Sequence, residues 1–395
     1  MTTGIITKDY AVPHTSTNPA NVNDSVELFV REYDGTKPSH SPEAILMLHG
    51  RSTPALPGFD LEHGRHDRYS WSKDLADAGY DVFIMDLQGS GRSTRPKMDN
   101  PCNANPAQQP DILVPNPLSA PCSPVYTSQL NNSQSDWDEL DTVIKFIQHQ
   151  RGVSKVRLVG WSAAAFVMGP YAVQHPQNVE SLLLLAPIFP PQGRASKPGT
   201  DFGAPVALPV STPAALFGFP MHLGTKEAFA SSWDRELHCA NQREPGMVDV
   251  VWDATMDNDT VSSGWGPMED GVAQGVNRIR NSYWWGWNST TVPLHGTLGR
   301  DVPVCIVYGE LDTQANTPVS SGPLLHFSVP ALYDAIPGTK KLMFRVACTG
   351  HLMVWERQSK FLHHMSRQWL KHGTVEGLSN GSYFRDEDGV IMPAA

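Results

Sequence analysis

KVRLVGWS (Lys155–Ser162), running on into AAAFVMGPYAVQHP (Ala163–Pro176), decides the fold. The first block is a short, unbroken apolar run of the kind that forms a strand buried on both faces. The second has helical spacing and stops at Pro176, which cannot continue a helix. A glycine precedes the junction serine and small residues follow it, giving Gly160-Trp161-Ser162-Ala163-Ala164. Strand, sharp turn and helix in that order is the context in which a serine hydroxyl is lifted above a sheet edge. The last position of the usual G-x-S-x-G pattern is Ala164. A small residue is needed there because strand and helix pack closely, and a methyl group is a tolerable departure.

The same alternation extends outward in both directions. Upstream lie AILMLHG (Ala44–Gly50), the helical WSKDLADAGY (Trp71–Tyr80), DVFIMDLQGSG (Asp81–Gly91) and the amphipathic DWDELDTVIKFIQHQRG (Asp136–Gly152). Downstream are SLLLLAP (Ser181–Pro187), VPVCIVYGELD (Val302–Asp312) and KKLMFRVACTGH (Lys340–His351). Solid apolar strands alternating with helices predict a mostly parallel central sheet flanked by helices, an α/β architecture. The opening MTTGIITKDYAVPHTS and VELFVREYDG (Val26–Gly35) alternate apolar and polar residues and predict a hairpin. Two stretches break the rhythm. Residues 96–135 are rich in Pro, Asn, Gln and Ser, and a loop of that length inside a domain is usually functional. Residues 188–300 hold six of the eleven tryptophans (Trp233, Trp252, Trp265, Trp284, Trp285, Trp287) and predict a largely helical cap inserted into the core of 1–187 and 301–395. Any single one of these tryptophans is more simply a core residue of that insertion than a ligand contact.

At this point the chain resembles the α/β-hydrolase family, over Thr2 to Pro187 and Val302 to Leu370 apart from the long loop. Leu48-His49-Gly50-Arg51 looks like the family's HG-x turn, and Asp86-Leu87-Gln88-Gly89-Ser90-Gly91-Arg92-Ser93 is similar to its D-x-x-G-x-G-x-S loop. The resemblance implies Ser162 as nucleophile, Asp312 as acid and His351 as base, in that chain order. It also implies an oxyanion hole from the backbone N–H groups of Ala163 and Arg51. Glu310, two residues from Asp312, is an alternative strand-end acid. His49 is expected to support its turn, Asp86 and Arg92 to shape their loop, and His363 and His364 to be packing or surface residues.

The departures exclude other chemistries. Ser162 stands where haloalkane dehalogenases and epoxide hydrolases of this fold carry aspartate. The HGGG turn, the Walker lysine motif, G-x-G-x-x-G after a first strand, H-E-x-x-H and zinc-like Cys/His spacing are all missing. A cofactor-free serine hydrolase acting on a carboxylic ester or lactone is the economical expectation. An acyltransferase, a C–C hydrolase or lyase, and a non-catalytic receptor are the alternatives. Phe166, Ile188, Phe189, Trp284 and Trp285 are expected to contact a hydrophobic substrate.

Composition sets the outer bounds. Asp and Glu outnumber Lys and Arg by 40 to 30, which argues against nucleic acid or an anionic membrane as partner. The start is too polar for a secretory signal, so a cytoplasmic protein is expected, and oligomeric state stays open. Five cysteines leave at least one unpaired within a monomer. Cys102 and Cys122 share one Pro-rich loop and could pair, although a cytoplasmic setting favours free thiols.

Overall fold

The computed structural model describes residues 4–37, 40–63, 68–113, 116–205 and 218–394. The first three residues of the expected opening strand and parts of the two irregular stretches therefore lie outside it. Ten strands form one sheet, in the spatial order Ile6–Thr15, Ser25–Asp34, Asp81–Met85, Ala44–Leu48, Val156–Trp161, Val179–Leu185, Val304–Gly309, Lys341–Val346, Gly381–Arg385 and Ile391–Pro393. The seven from Asp81–Met85 to Gly381–Arg385 are mutually parallel, and antiparallel partners close both edges. The last two strands were not anticipated: GSYFR is short, ends in arginine, and lacks the solid apolar block that marks the central strands.

The central strands read as continuous apolar runs because both faces are covered. Leu46, Leu48, Leu158, Leu184 and Ile306 join one core cluster, and Ile45, Met47, Val159, Leu183 and Val307 join the other. Pleating sends successive side chains to opposite faces, so each strand supplies both cores. Helices Ser133–Arg151, Ala165–Gln174 and Val329–Ala335 cover the first face. Helices Ala55–Phe59, Trp71–Asp77 and Ser359–His372 cover the second. The Ser133–Arg151 helix has firm ends. The Asn132 side chain accepts from Ser135 N, the Ser135 hydroxyl accepts from Asn132 N, and Gly152 closes the last turn at φ +64°.

The insertion is less helical than expected. Among its described residues the α-helices are Lys226–Asp234 and Met247–Met256, with a two-stranded pair, Met221–Gly224 and Asn277–Arg280, beside them. Glycines in the left-handed region at 246, 266, 271, 275 and 286 cut the chain into short pieces. The 96–135 loop folds onto this pair: Met98, Ala104, Ile112 and Leu130 share a small core with Met221, Leu223, Trp265 and Val276. Its role in the described residues is thus to hold the insertion. No helix among them is long and apolar enough to cross a membrane.

Two disulfides close the cysteine arithmetic. Cys102–Cys122 staples the long loop, Cys239–Cys348 joins the insertion to the segment after the Lys341–Val346 strand, and Cys305 is free and buried. Structural disulfides are characteristic of oxidising compartments and rare in cytosolic proteins, which runs against the cytoplasmic expectation.

The insertion is also tied down by buried charge. Arg280 donates from Nη1 and Nη2 to the two Asp136 oxygens at 2.9 and 3.3 Å, and Trp284 Nε1 adds a third donor at 3.0 Å. Glu139, one helical turn along, accepts from Gln88 N and Nε2 and is pushed up to about 8 by burial and the Asp136 charge. Removing Arg280 leaves the buried Asp136 carboxylate without its counter-charge. Arg280→Ala should lower unfolding free energy by about 3–5 kcal/mol, read from urea denaturation monitored by tryptophan fluorescence.

Candidate active site

The parallel strands end on one side of the sheet, and three of those ends carry the groups that meet there. Val156–Trp161 ends at Ser162, whose backbone sits at φ +58°, in the left-handed region that L-residues other than glycine rarely enter. Gly160 makes the turn possible: a Cβ there would lie 3.0 Å from Met168 Sδ, 3.1 Å from Ala164 Cβ and 3.2 Å from Leu184 Cδ2. Ala164 fills the space that the glycine leaves, so the departure from G-x-S-x-G is accommodated, though with no room to spare. From the neighbouring strand end, the Leu48-His49-Gly50 turn crosses above the serine, with the Cβ position of Gly50 3.2 Å from Ser162 Cβ.

Asp312 follows Val304–Gly309, and His351 follows Lys341–Val346 by a short loop. The structure brings all three residues together. His351 Nε2 is 2.8 Å from Ser162 Oγ, and His351 Nδ1 is 3.0 Å from each Asp312 oxygen. Asp312 Oδ1 also accepts from Gln314 N and Ala315 N at 3.0 and 2.8 Å, which fixes the carboxylate in place. All three side chains are buried. Glu310 is not the partner: it is exposed, and its Oε2 faces Cys348 N at 3.4 Å.

Burial alone would hold His351 below its ordinary value of 6.5. The Asp312 carboxylate at Nδ1, helped by Glu236 and Glu356, outweighs it and raises the imidazole above that value.

The remaining expected residues divide clearly. Arg51 lies in the turn above Ser162 and lines the cavity in front of it, and Ala163 follows Ser162 in the strand-to-helix turn. His49 is a supporting residue, accepting from Leu87 N at Nε2. Asp86 shapes its loop by accepting from Ala55 N and Arg92 N, and Gly91 is obligatory because a Cβ there would overlap the Asp86 carboxylate. His363 is buried against Trp71, and half-buried His364 pairs with Glu376.

The five expected substrate contacts are elsewhere. Phe166, Phe189, Trp284 and Trp285 belong to the first core cluster and Ile188 packs on it; none lines the cavity. Phe166 stacks on Trp284 at 4.5 Å, and Phe189 meets Trp287 edge-on at 5.5 Å. On the Ala165–Gln174 helix the Phe166 ring lies against Trp284 instead of the cavity, while its backbone carbonyl accepts from Trp137 Nε1 at 3.2 Å. The cavity, of about 240 Å³, is walled instead by Phe229, Trp252, Ile279 and Leu352 and by the polar Thr225, Ser232, Asn277 and Gln314. No carboxylate lines it among the described residues. Its cationic group is Arg51, brought down to about 10 by burial and by Arg280, while burial and Arg51 push His222 down to about 4. Trp252 is the one inserted tryptophan on this wall, and nothing in its local sequence separates it from the other five.

A family model described as the alpha/beta hydrolase fold matches residues 43–358. No curated protein matches the chain. Among solved structures, it is similar to the serine hydrolase CCSP0084 of Cycloclasticus zankles, at 15% identity and TM-score 0.47 over 93% of this chain and 98% of that one. It is also similar to 2-hydroxy-6-oxo-6-phenylhexa-2,4-dienoate hydrolase of Rhodococcus sp. strain RHA1, at 16% identity and TM-score 0.47 over 92% and 98%. Carboxylesterase CesB of Bacillus subtilis is similar at 10% identity and TM-score 0.48, over 93% of each chain. The family model spans most of the sequence, including the elbow at Ser162, the Asp312 turn and His351, and the chain belongs to the α/β-hydrolase fold family.

Proposed function

We propose that the protein is a serine hydrolase that cleaves a compact carboxylic ester or lactone through an acyl-enzyme on Ser162. The observation that carries this is the 2.8 Å contact between His351 Nε2 and a serine hydroxyl held at φ +58° at the head of a helix. A serine hydroxyl is a weak nucleophile, so a base must take its proton as it attacks. His351 accepts that proton at Nε2 while the Oγ–carbonyl carbon bond forms, then returns it to the leaving oxygen as the ester C–O bond breaks. Water attacks the acyl-enzyme by the same route, and the proton ends on Ser162 Oγ. Asp312 keeps the other ring nitrogen protonated and stabilises the imidazolium formed in each step.

The tetrahedral oxyanion is assigned to the backbone N–H groups of Ala163 and Arg51, where one donor typically contributes about 3–4 kcal/mol to the barrier. A cavity of about 240 Å³ falls below the roughly 300–1,000 Å³ of drug-sized ligand sites, which favours a small substrate. Phe229 and Trp252 on its wall suit an apolar body, and Asn277 and Gln314 on the same wall suit a polar oxygen function. Neither a metal nor an organic cofactor is needed for this chemistry.

A fluorophosphonate should add to Ser162 with loss of fluoride, seen as one adduct in intact-mass and peptide measurements; active, folded protein that takes up no adduct at Ser162 would refute the mechanism. On a panel of esters and lactones of graded acyl size, Ser162→Ala should lose at least about 1000-fold in kcat and Asp312→Asn about 10⁴-fold. Because protonated His351 cannot accept the serine proton, kcat/KM should fall as pH drops through its raised value. The acid limb should therefore have its midpoint above 6.5, and a midpoint at or below that would contradict the electrostatics described here.

A further inference from the structure

Behind the histidine, on the side away from the cavity, lies a second acid that the serine mechanism does not name. Glu236 comes from the insertion, just after the Lys226–Asp234 helix, and is fully buried. Its Oε2 accepts from the backbone N of His351 at 2.7 Å. Its Oε1 accepts from Thr313 N at 2.9 Å and from Thr313 Oγ1 at 2.8 Å. One carboxylate thus grips both the histidine loop and the turn that carries Asp312. The loop is shaped around it, since a Cβ at Gly350 would lie 2.5 Å from Glu236 Oε2.

The surrounding segment reinforces the grip. Gln242 Nε2 donates to Glu236 O at 2.9 Å and to Glu356 Oε2 at 3.2 Å, while Glu356 accepts from Gly350 N, Thr349 Oγ1 and Trp233 Nε1. Cys239–Cys348 locks the same two stretches covalently.

We propose that Glu236 is a positioning residue for the reaction: an acid supplied by the insertion that sets the His351–Asp312 geometry and adds negative charge behind the imidazole. This rests on the serine-hydrolase mechanism above. Three donors converge on its two oxygens, so it acts as an acceptor only, and its charge favours the cationic form of the ring. Among the described residues, the charged and titratable groups around His351 are Asp312 at Nδ1, Glu236 and Glu356 at its loop, Ser162 at Nε2, and Arg51 and His222 on the wall of the same cavity. Among these, Glu236 and Glu356 both favour the imidazolium, and Glu236 alone also bonds the Asp312 turn.

The test uses fluorophosphonate labelling of the full chain, which needs no knowledge of the natural substrate. Maximal labelling rate and half-saturating probe concentration are measured across pH for wild type, Glu236→Gln and Glu236→Asp. Glu236→Gln keeps the shape but loses the charge and turns an amide donor toward a donor. Its maximal rate should fall about 10- to 100-fold with half-saturation changed less than about 3-fold, and its acid limb should move to lower pH. Glu236→Asp should keep the wild-type limb at a reduced rate, since the charge stays and the reach is shorter. A native-like Glu236→Gln with wild-type rate and limb overturns the proposal.

If Glu236→Gln does not fold, the exposed Thr313→Val removes one of the three hydrogen bonds at little structural risk. It should slow maximal labelling about 3- to 10-fold, and an unchanged rate overturns the proposal. Failure of wild-type Ser162 to label overturns the serine mechanism together with this inference, whereas normal labelling with insensitive variants overturns this inference alone.

Discussion

A single residue in an unfavourable backbone conformation sets the terms for the rest. Ser162 at φ +58° costs on the order of 1–3 kcal/mol and persists only because its surroundings over-determine it. The strand before it is paired on both sides, to Ala44–Leu48 and to Val179–Leu185, so its end cannot drift. The helix after it is buried against the Ser133–Arg151 helix, and Gly169 lets the Trp287 ring lie directly on it. Between them, Gly160 and Ala164 leave space for one methyl group. The hydroxyl is held up by the packing of two cores below it, and so the insertion, which contributes Trp284, Trp285 and Trp287 to one of those cores, belongs to the scaffold as much as to the cavity.

This explains which parts of the structure were legible in the sequence. Strands buried on both faces must be solid apolar blocks, so SLLLLAP and AILMLHG could be recognised from composition alone. The serine, acid and histidine each follow such a block, and their positions are fixed by topology rather than by side-chain detail. What could not be read depends on distant packing. Phe166 is four residues past the serine, yet its ring lies on Trp284, 118 residues downstream in the chain. The cavity wall comes from Phe229, Trp252 and Ile279, which sit in an insertion whose Gly and Pro residues erase periodicity. Glu236 carries no local signal either, because its role depends on a backbone N–H 115 residues away.

The cysteines show the same limit from another side. Spacing could place Cys102 and Cys122 in one loop, but Cys239 and Cys348 are 109 residues apart and meet only because the insertion folds back over the histidine loop. One bridge lies in the loop that braces the insertion, the other where the insertion meets the histidine loop. The longer the loop a bridge closes, the more it restricts the unfolded chain, so Cys239–Cys348 restricts it more than Cys102–Cys122, whose separation is 20 residues. The core sheet, with its seven parallel strands, has no bridge and leaves Cys305 buried and free.

Charge is distributed around the histidine in a consistent sense. Three carboxylates, Asp312, Glu236 and Glu356, favour the charged imidazole, while the cavity wall carries, among the described residues, no carboxylate and one guanidinium, Arg51. In the proposed reaction the ring becomes positive and the substrate oxygen negative at the same moment. A field that is negative at the ring and positive at the cavity wall stabilises both changes together, and it does so without reorganisation because every member is hydrogen-bonded before substrate arrives. His222, pushed down to about 4, adds no second cation beside Arg51 near neutral pH, so the cavity stays polar without becoming a strong anion trap.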